Sequence, residues 1–151
     1  MGGTQKMEMQ YHCLTAEGLD NLPQAAEIRQ EVFVEEQGFH NEFDEIDPKA
    51  VHLLVLEGET PVAVGRTFPD ETGKVWHLGR ICVRKPWRGR QLGRLVIKEL
   101  EKAARERGAE KLVLSAQVQA KGFYEKLGYT AHGEEYLDEF CPHVEMEKTT
   151  L

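Results

Sequence analysis

The stretch VRKPWRGRQLGRL, from Val83 to Leu95, decides the predicted fold because it joins a strand to a helix. The run Val75–Val83 before it is largely apolar, whereas apolar residues recur at helical spacing from Leu92 to Ala103 after it. A strand that leads through a glycine-containing loop into a helix brings unpaired backbone N–H groups and the positive end of the helix dipole to one point. This arrangement is typical of a phosphate site.

The loop is basic, with four arginines, one lysine and no acidic residue. Gly89 and Gly93 lack the Cβ atoms that would block the close approach of a phosphate. Four side chains can screen its outer charge, namely Arg84, Arg88, Arg90 and Arg94. The loop matches neither GxxxxGK[ST] nor GxGxxG, so P-loop NTPases and dinucleotide-binding folds are not indicated. A solvated basic turn is the alternative interpretation, because many charged runs are no more than that.

The segments before the loop predict an edge strand, a helix and a three-stranded meander. Glu8–Leu14 predicts the edge strand, and the helix is expected from about Asn21 to Val34, with Asp20 as its N-cap and Pro23 in its first turn. The Gln37-Gly38 pair is expected to end this helix. The meander is expected to consist of Val51–Leu56, Pro61–Phe68 and Val75–Val83, with turns at 57–60 and 70–73.

After the loop, the pattern predicts a βαβ unit and then a short helix with final strands. The long helix is expected to end at Gly108, with Leu92, Val96, Leu100 and Ala103 on its apolar face and Glu101 on its polar face. Lys111–Ser115 is expected to lie parallel to the third meander strand. The remaining elements are Ala120–Leu127, stopped by Gly128, and strands at Tyr129–Ala131 and Val144–Met146. The fold class is therefore mixed α/β.

Composition restricts the class of protein. The chain has 151 residues, 40% hydrophobic and 30% charged, which is typical of one soluble globular domain. No stretch approaches the ~20 apolar residues of a membrane span. The formal net charge of −7 argues against a general nucleic-acid binder. Three scattered cysteines, Cys13, Cys82 and Cys141, have no metal-ligand spacing, so we expect reduced thiols, a cytoplasmic protein and no metal.

Charge is unevenly distributed along the chain. The segment Glu31–Asp47 has seven acidic residues and no lysine or arginine, whereas Arg80–Arg94 has six basic residues and no acidic one. One segment is therefore expected to attract cations and the other anions. A solvated acidic loop is the alternative interpretation of the first segment.

RGRQLG, at Arg88–Gly93, resembles the acetyl-CoA pyrophosphate loop of the GNAT acetyltransferases, [Q/R]xxGx[G/A]. Gln91 stands where the family's middle glycine normally lies, so a less open backbone and a loss of acyl-CoA affinity are expected there. Four further segments, RQEVFVEEQ, HLGRICV, LSAQVQAKGFYEKLGY and PHVEM, resemble the bacterial ElaA-type branch of the family. The resemblance covers nearly the whole chain. It implies the GNAT fold, a mixed central sheet in which a meander precedes a βαβ acetyl-CoA-binding unit, with flanking helices.

The resemblance implies that an amine attacks the acetyl-CoA thioester directly, with no covalent enzyme intermediate. Backbone groups at the end of the third meander strand would pair with the pantetheine arm and polarise the thioester, so Cys82 is interpreted as a packed residue and not as a nucleophile. The implied cofactor-binding residues are Ile81, Cys82, Val83, Arg88, Gly89, Arg90, Gln91, Leu92, Gly93 and Arg94.

Tyr124 matches the family tyrosine that lies beside the CoA sulfur, which implies a general acid for the leaving thiolate. A packing role in the core is the alternative for a lone aromatic on an amphipathic helix. The general base stays open among a water-relayed carboxylate and the side chains of His77, Glu36, His40, Glu42 and His143.

We therefore expect an N-acetyltransferase that uses acetyl-CoA and a small amine or amino-acid-like acceptor. The alternative is a non-catalytic GNAT-fold module that binds acyl-CoA or mediates protein association. Neither a nucleic acid nor a membrane is an expected partner, and a homodimer is compatible with the sequence. Residues 1–6 are expected to be a disordered leader, followed by a single domain over residues 7–151.

Overall fold

The computed structural model describes residues 10–150, so the expected leader at residues 1–6 lies outside the described residues. The strands are β1 (Tyr11–Glu17), β2 (Val51–Glu57), β3 (Thr60–Pro69), β4 (Val75–Val83), β5 (Lys111–Gln117), β6 (Thr130–Asp138) and β7 (Cys141–Thr149). The helices are α1 (Pro23–Arg29), a π-helix (Gln30–Glu36), α2 (Leu92–Glu106) and α3 (Lys121–Lys126). Short 3₁₀ turns are formed by Leu19–Asn21, Lys85–Trp87 and Val118–Ala120.

The strands pair in the order β1-β2-β3-β4-β5-β7-β6. The pair β4–β5 is parallel, whereas β1–β2, β5–β7 and β6–β7 are antiparallel. This confirms the predicted mixed α/β fold, the edge position of β1 and the parallel return of β5. By its contacts, the described chain divides into two units. The first comprises the residues up to Arg66 together with Arg80–Leu100, and the second comprises Thr67–Gly79 together with the residues from Glu101 onward.

The core of the first unit lies between the strands and the first part of α2. Leu53, Leu54 and Val55 of β2 are fully buried, as are Val96, Ile97 and Leu100 of α2. At Gly65 of β3, an added Cβ would lie 2.7 Å from the side chains of Val96 and Leu100. Any larger residue at position 65 would therefore push α2 away from the strand.

The helix predicted from Asn21 to Val34 has two parts, because α1 passes into the π-helix at Gln30. Pro23 is the first residue of α1, as expected. The prediction of Asp20 as N-cap is wrong, since Asp20 lies inside a 3₁₀ turn and the N-cap is Leu22, which makes no side-chain capping bond. Gly38, with φ +82°, follows the π-helix and confirms the expected stop.

The second unit contains the parallel β4–β5 pairing, which runs from Val75↔Lys111 to Leu78↔Leu114. The final strands β6 and β7 are both longer than predicted. Strand β6 is almost wholly exposed and lacks the apolar alternation that marks a strand in sequence. Glu101 was expected on the polar face of α2, but it is buried. Its carboxylate accepts hydrogen bonds from the Tyr129 hydroxyl at 2.7 Å and the Lys148 ammonium at 3.2 Å, which explains how the charge is tolerated.

Candidate functional site

The basic loop starts where β4 ends and stops where α2 begins. The first helical hydrogen bond of α2 runs from the Leu95 N–H to the Gln91 carbonyl at 3.2 Å. The amides of residues 92–94 therefore precede the helical ladder and have no acceptor within the helix. Because α2 has 15 residues, its dipole adds positive potential at the same end. The loop thus has the local geometry of an anion site.

Gln91 adopts a backbone conformation that normally favours glycine. Its φ is +63°, and that of Gly89 is +85°. The less open conformation expected at Gln91 is wrong, because the loop holds this residue in the left-handed region despite its side chain. For a residue with a Cβ, that region costs roughly 1–2 kcal/mol. Space beside the loop is open, since a Cβ added at Gly89 would meet no atom within 4 Å.

Three of the four loop arginines are paired with carboxylates. The closest N–O distances are 3.1 Å for Arg84–Glu31, 2.6 Å for Arg88–Glu36 and 3.2 Å for Arg90–Glu57. Within residues 10–150, Arg94 has no carboxylate at ion-pair distance, and its side chain is exposed. Four arginines were expected to screen a bound anion. Among them, Arg94 is the one whose charge is not already paired with a carboxylate of the described residues.

The acidic segment supplies two of those carboxylates, Glu31 and Glu36, and folds three others into a buried ion network. The network joins Arg29 to Glu42 at 2.8 Å and to Asp47 at 2.7 Å, Arg66 to Asp44 and Asp47 at 2.7 Å each, and Arg80 to Glu42 at 3.1 Å and to Asp44 at 3.3 Å. The expectation that this part of the segment attracts a cation is wrong, as is its alternative of a solvated loop. Three arginines already balance the three carboxylates.

The network shifts its carboxyl groups in opposite directions. Hydrogen bonds from Arg66 lower the pKa of Asp44 to about 2. Burial raises the pKa of Glu42, against the opposing effects of Arg80 and Arg29. Sequence reasoning missed Arg29 and Arg66, and the signal for both was available. Each is a single arginine within an otherwise apolar pattern, where burial requires a partner.

The last residues of β4 follow an unusual backbone position. Arg80 has φ +51°, and the β4–β5 register ends before it, at Leu78. Cys82 is buried, and burial raises the pKa of its thiol well above the usual range. The thiol therefore stays protonated at neutral pH, which supports a packing role for Cys82. The Val83 carbonyl accepts a hydrogen bond from Arg88 Nε at 2.9 Å, and Ile81 is partly exposed.

Tyr124 lies in α3, in the second unit. Its ring makes edge contacts with Phe123 and Tyr129, at centroid distances of 5.1 and 6.1 Å. Burial raises the pKa of Tyr124 to about 12. No hydrogen bond joins its hydroxyl to another residue of the described chain. The Tyr124 hydroxyl is thus protonated at neutral pH and donates no hydrogen bond to another described residue.

The candidate general bases differ in their burial and in the side chains and carbonyls that they contact. Hydrogen bonding to Arg88 lowers the pKa of Glu36, which weakens it as a base, and Glu42 is held by the ion network. His77 stacks on Phe68 at 5.0 Å. His143 is buried, with Nδ1 2.8 Å from the Cys141 carbonyl, and His40 is exposed.

Other features of the described residues point to no second site. A depression of about 300 Å³ in the first unit is lined by Glu17, Asp20, Phe43, Asp44 and Pro48 among others, and Asp44 there is already bound to arginine. Within residues 10–150, no three His, Cys, Asp or Glu side chains are grouped as metal ligands would be. No helix of that range is long and apolar enough to cross a membrane.

Comparison with known proteins identifies the family. The model of the acetyltransferase (GNAT) domain matches residues 14–150. An uncharacterized N-acetyltransferase of Bacillus subtilis, YjcF, is 42% identical over 137 residues, which cover 88% of this chain and 96% of that protein. This protein therefore belongs to the GNAT acetyltransferases, which confirms the family resemblance found in the sequence, and it is an acyl-CoA-dependent acetyltransferase.

Solved structures agree with that assignment. An acyl-CoA N-acyltransferase from Pseudomonas aeruginosa has a TM-score of 0.81 at 25% identity, covering 92% of this chain and 99% of that one. Escherichia coli ElaA has a TM-score of 0.82 at 21% identity, covering 91% and 99%. ElaA thus shares the fold, as the sequence segments suggested.

Proposed function

We propose that this protein transfers an acetyl group from acetyl-CoA to the primary amine of a small or amino-acid-like acceptor, by direct attack of the amine on the thioester. The observation that supports this most strongly is the loop between β4 and α2. Its left-handed Gly89 and Gln91 open the backbone at the N-terminus of a 15-residue helix. We propose that this loop holds the pyrophosphate of acetyl-CoA.

The residues of the loop fit a pyrophosphate. The amides of Leu92, Gly93 and Arg94 have no acceptor within α2, and the space beside Gly89 is open. Backbone N–H groups at a helix N-terminus bind phosphate oxygens without a large side-chain entropy cost. Arg94 adds an exposed cation on the first turn of the helix.

The backbone of Ile81, Cys82 and Val83 is proposed to hold the pantetheine arm as an added strand would. Bound acetyl-CoA supplies the activated acyl group, and a backbone N–H directed at its carbonyl oxygen would stabilise the charge that develops there. This role needs main-chain groups only. The buried, protonated state of Cys82 is consistent with it.

Tyr124 is proposed to donate its proton to the departing CoA thiolate. A phenol with a pKa of about 12 is protonated throughout the neutral range, so the donor form is always present, but the raised pKa also makes it a weaker acid toward a thiolate whose conjugate acid has a pKa of about 8.5. The hydroxyl has no hydrogen bond to a described residue that would have to break first. The base is proposed to be His77, His40, His143 or a water-relayed carboxylate, because the pairing of Glu36 and Glu42 with arginine makes those two weaker candidates.

Two measurements test the function. Release of free thiol from acetyl-CoA should be observed with at least one member of a pooled library of primary amines, and acetyl-CoA should raise the melting temperature. A melting shift without turnover would instead support the alternative of a non-catalytic acyl-CoA-binding module.

Variants of the loop locate the binding site. Gly89→Pro imposes a negative φ where the loop has +85°, and Gly93→Asp adds a negative charge to the first turn of α2. Each should weaken acetyl-CoA binding far more than Arg105→Ala, a control change at an exposed position in the last turn of α2. Equal affinities across the three variants, measured by calorimetry, would reject this site.

A further inference from the structure

The π-helix Gln30–Glu36 aligns two carboxylates that an α-helix would separate. In an α-helix, residues five positions apart point about 140° away from each other. In a π-helix, the backbone bonds residue i to residue i+5, as Gln37 N–H does to the Val32 carbonyl at 3.0 Å. Glu31 and Glu36 are five residues apart and therefore lie one π turn from each other, on the same side.

The two carboxylates meet two arginines that flank the turn before the phosphate loop. Glu31 contacts Arg84 Nε at 3.1 Å, and Glu36 accepts hydrogen bonds from both terminal nitrogens of Arg88 at 2.6 and 2.8 Å. Arg84 and Arg88 stand on either side of Lys85–Trp87. The π-helix thus fixes both ends of this turn.

Arg88 is bound on two sides at once. While its terminal nitrogens bind Glu36, its Nε donates to the Val83 carbonyl at 2.9 Å. Val83 is the last residue of β4, and Arg88 is the first residue of the RGRQLG segment within the loop. The guanidinium therefore ties the end of the strand to the π-helix, and the fork that could grip a phosphate is occupied by a carboxylate.

This arrangement contributes little to overall stability. The Arg88 and Glu36 side chains are 39% and 34% exposed, and ion pairs with that exposure typically contribute little to the free energy of unfolding. A planar bidentate pair, however, restricts geometry more strongly than a single contact does. Orientation of the strand end and the loop is consequently the main effect of this pair.

We propose that Arg88 and Glu36 act together as a positioning pair, in which Arg88 orients the Val83 carbonyl and the start of the loop instead of binding phosphate with its side chain. This rests on the proposed acetyl-CoA site. The phosphate charge is then left to the backbone amides at the start of α2 and to Arg94, the exposed loop arginine with no carboxylate partner within residues 10–150.

If Arg88 instead contacts the phosphates with its side chain, neutralisation of Glu36 should change acetyl-CoA affinity in the opposite direction. If Arg88 bound phosphate directly, Glu36 would compete with the ligand for the same guanidinium, and its neutralisation would tighten acetyl-CoA binding. If the two residues are a positioning pair, neutralisation of Glu36 weakens binding as much as removal of Arg88 does.

The experiment measures acetyl-CoA dissociation constants by calorimetry for the parent, Glu36→Gln, Arg88→Ala and the double variant. Glu35→Gln is the matched control, because it makes the same change at an exposed neighbouring position of the π-helix. We expect each single variant to bind about 5–20-fold more weakly, the double variant to lose no more than either one, and melting temperatures to stay close to that of the parent.

Salt dependence separates positioning from direct contact. The affinities of Glu36→Gln and the parent should decline equally with added salt, whereas Arg94→Ala should reduce that decline, because it removes a charge facing the phosphates. In Glu36→Gln, the KM for acetyl-CoA should rise by a larger factor than the turnover number at saturating acetyl-CoA falls.

Three results would each overturn the positioning pair and leave the acetyl-CoA site intact. The first is tighter acetyl-CoA binding by Glu36→Gln, and the second is additive losses of affinity in the double variant. The third is a reduced salt dependence in Arg88→Ala without a loss of affinity in Glu36→Gln. A parent protein that fails to bind acetyl-CoA would overturn both this inference and the proposed function.

Discussion

Arg80 donates two hydrogen bonds to the backbone carbonyl of Glu42, from Nε at 3.1 Å and from Nη2 at 2.9 Å. The backbone of Arg80 has φ +51°, so a strained position in β4 is held by its own side chain. The acidic loop is thereby fastened to the segment that leads into Ile81–Val83. Arg80 therefore combines a strained backbone conformation with the side chain that bonds to the Glu42 carbonyl.

Substitution at Arg80 can separate these two effects. Arg80→Ala removes the anchor and keeps a Cβ at positive φ, whereas Arg80→Gly removes both the anchor and the strain. We expect Arg80→Ala to be destabilised by about 2–3 kcal/mol, since Glu42 keeps only Arg29 as a buried partner. Arg80→Gly should be about 1 kcal/mol more stable than Arg80→Ala. Urea unfolding measures both, and a glycine variant that is the less stable of the two would contradict the role of strain.

The buried ion network predicts how stability depends on acid pH. Hydrogen bonds from Arg66 lower the pKa of Asp44 to about 2, below its ordinary value of 3.8. A lowered folded-state pKa stabilises the native state above the unfolded pKa, and this contribution is lost as the pH falls through the folded pKa. Asp44 should therefore contribute on the order of 2 kcal/mol near neutral pH, lost between about pH 4 and pH 2.

Asp44→Asn tests this pH dependence. Its free energy of unfolding should be lower than that of the parent at pH 6, and the difference should shrink toward pH 2. Glu42 has the opposite effect on the pH dependence of stability. Burial raises its pKa in the folded state, so its carboxyl ionises more readily in the unfolded state, and its contribution favours folding as the pH falls. A difference between the parent and Asp44→Asn that stays constant from pH 6 to pH 2 would show that Asp44 is not the group responsible.

Gln91→Gly is expected to bind acetyl-CoA at least as tightly as the parent. Gln91 has φ +63°, so glycine removes a cost of roughly 1–2 kcal/mol while preserving the loop conformation. The greater freedom of unfolded glycine offsets about 0.5–1 kcal/mol of any gain in stability. A tenfold loss of affinity would instead mean that the glutamine side chain makes a needed contact. Gln91→Val, with a β-branched side chain at the same positive φ, should be clearly destabilised and serves as the comparison.

Local patterns predicted most of the fold because they depend on neighbours in sequence. The continuous apolar run Val51–Leu56 follows from burial on both faces of β2, and the period of 3.6 after Leu92 follows from burial on one face of α2. Strand β6 was underpredicted, since an exposed edge strand needs no apolar alternation and owes its conformation to pairing with β7. The π-helix was likewise not predicted, because the apolar spacing over residues 21–34 is equally typical of an α-helix.

The position of the glycine-containing loop before α2 was predictable from sequence, whereas the pairing of its charges was not. A count of acidic and basic residues suggested two separated charged segments. The fold instead brings Glu31 to Arg84, Glu36 to Arg88 and Glu42 to Arg80. Pairing between positions 38 to 53 residues apart depends on topology, so composition alone led to the wrong expectation for the acidic segment.

Tyr124→Phe is the decisive test of the chemical step. The substitution keeps the ring and its edge contacts with Phe123 and Tyr129, so folding and acetyl-CoA affinity should match those of the parent. Only the proton donor is lost, and removal of a general acid typically costs about 10²–10⁴ in rate. The loss should lie toward the lower end, because a thiolate whose conjugate acid has a pKa of about 8.5 leaves fairly readily without help.

The measurement is a single-turnover rate with an accepted amine, so that product release does not mask the chemistry. Tyr129→Phe is a weak control, because Tyr129 donates to buried Glu101 and its loss would destabilise the fold. Tyr136→Phe is less damaging to the fold, since Tyr136 is exposed, but its hydroxyl bonds Ser115 and its ring stacks on His143, one of the proposed bases. If Tyr124→Phe and Tyr136→Phe both turn over at the parent rate, Tyr124 is a packing residue. The proposed acetyl-CoA site would be unaffected by that result, because it rests on the backbone of the first unit.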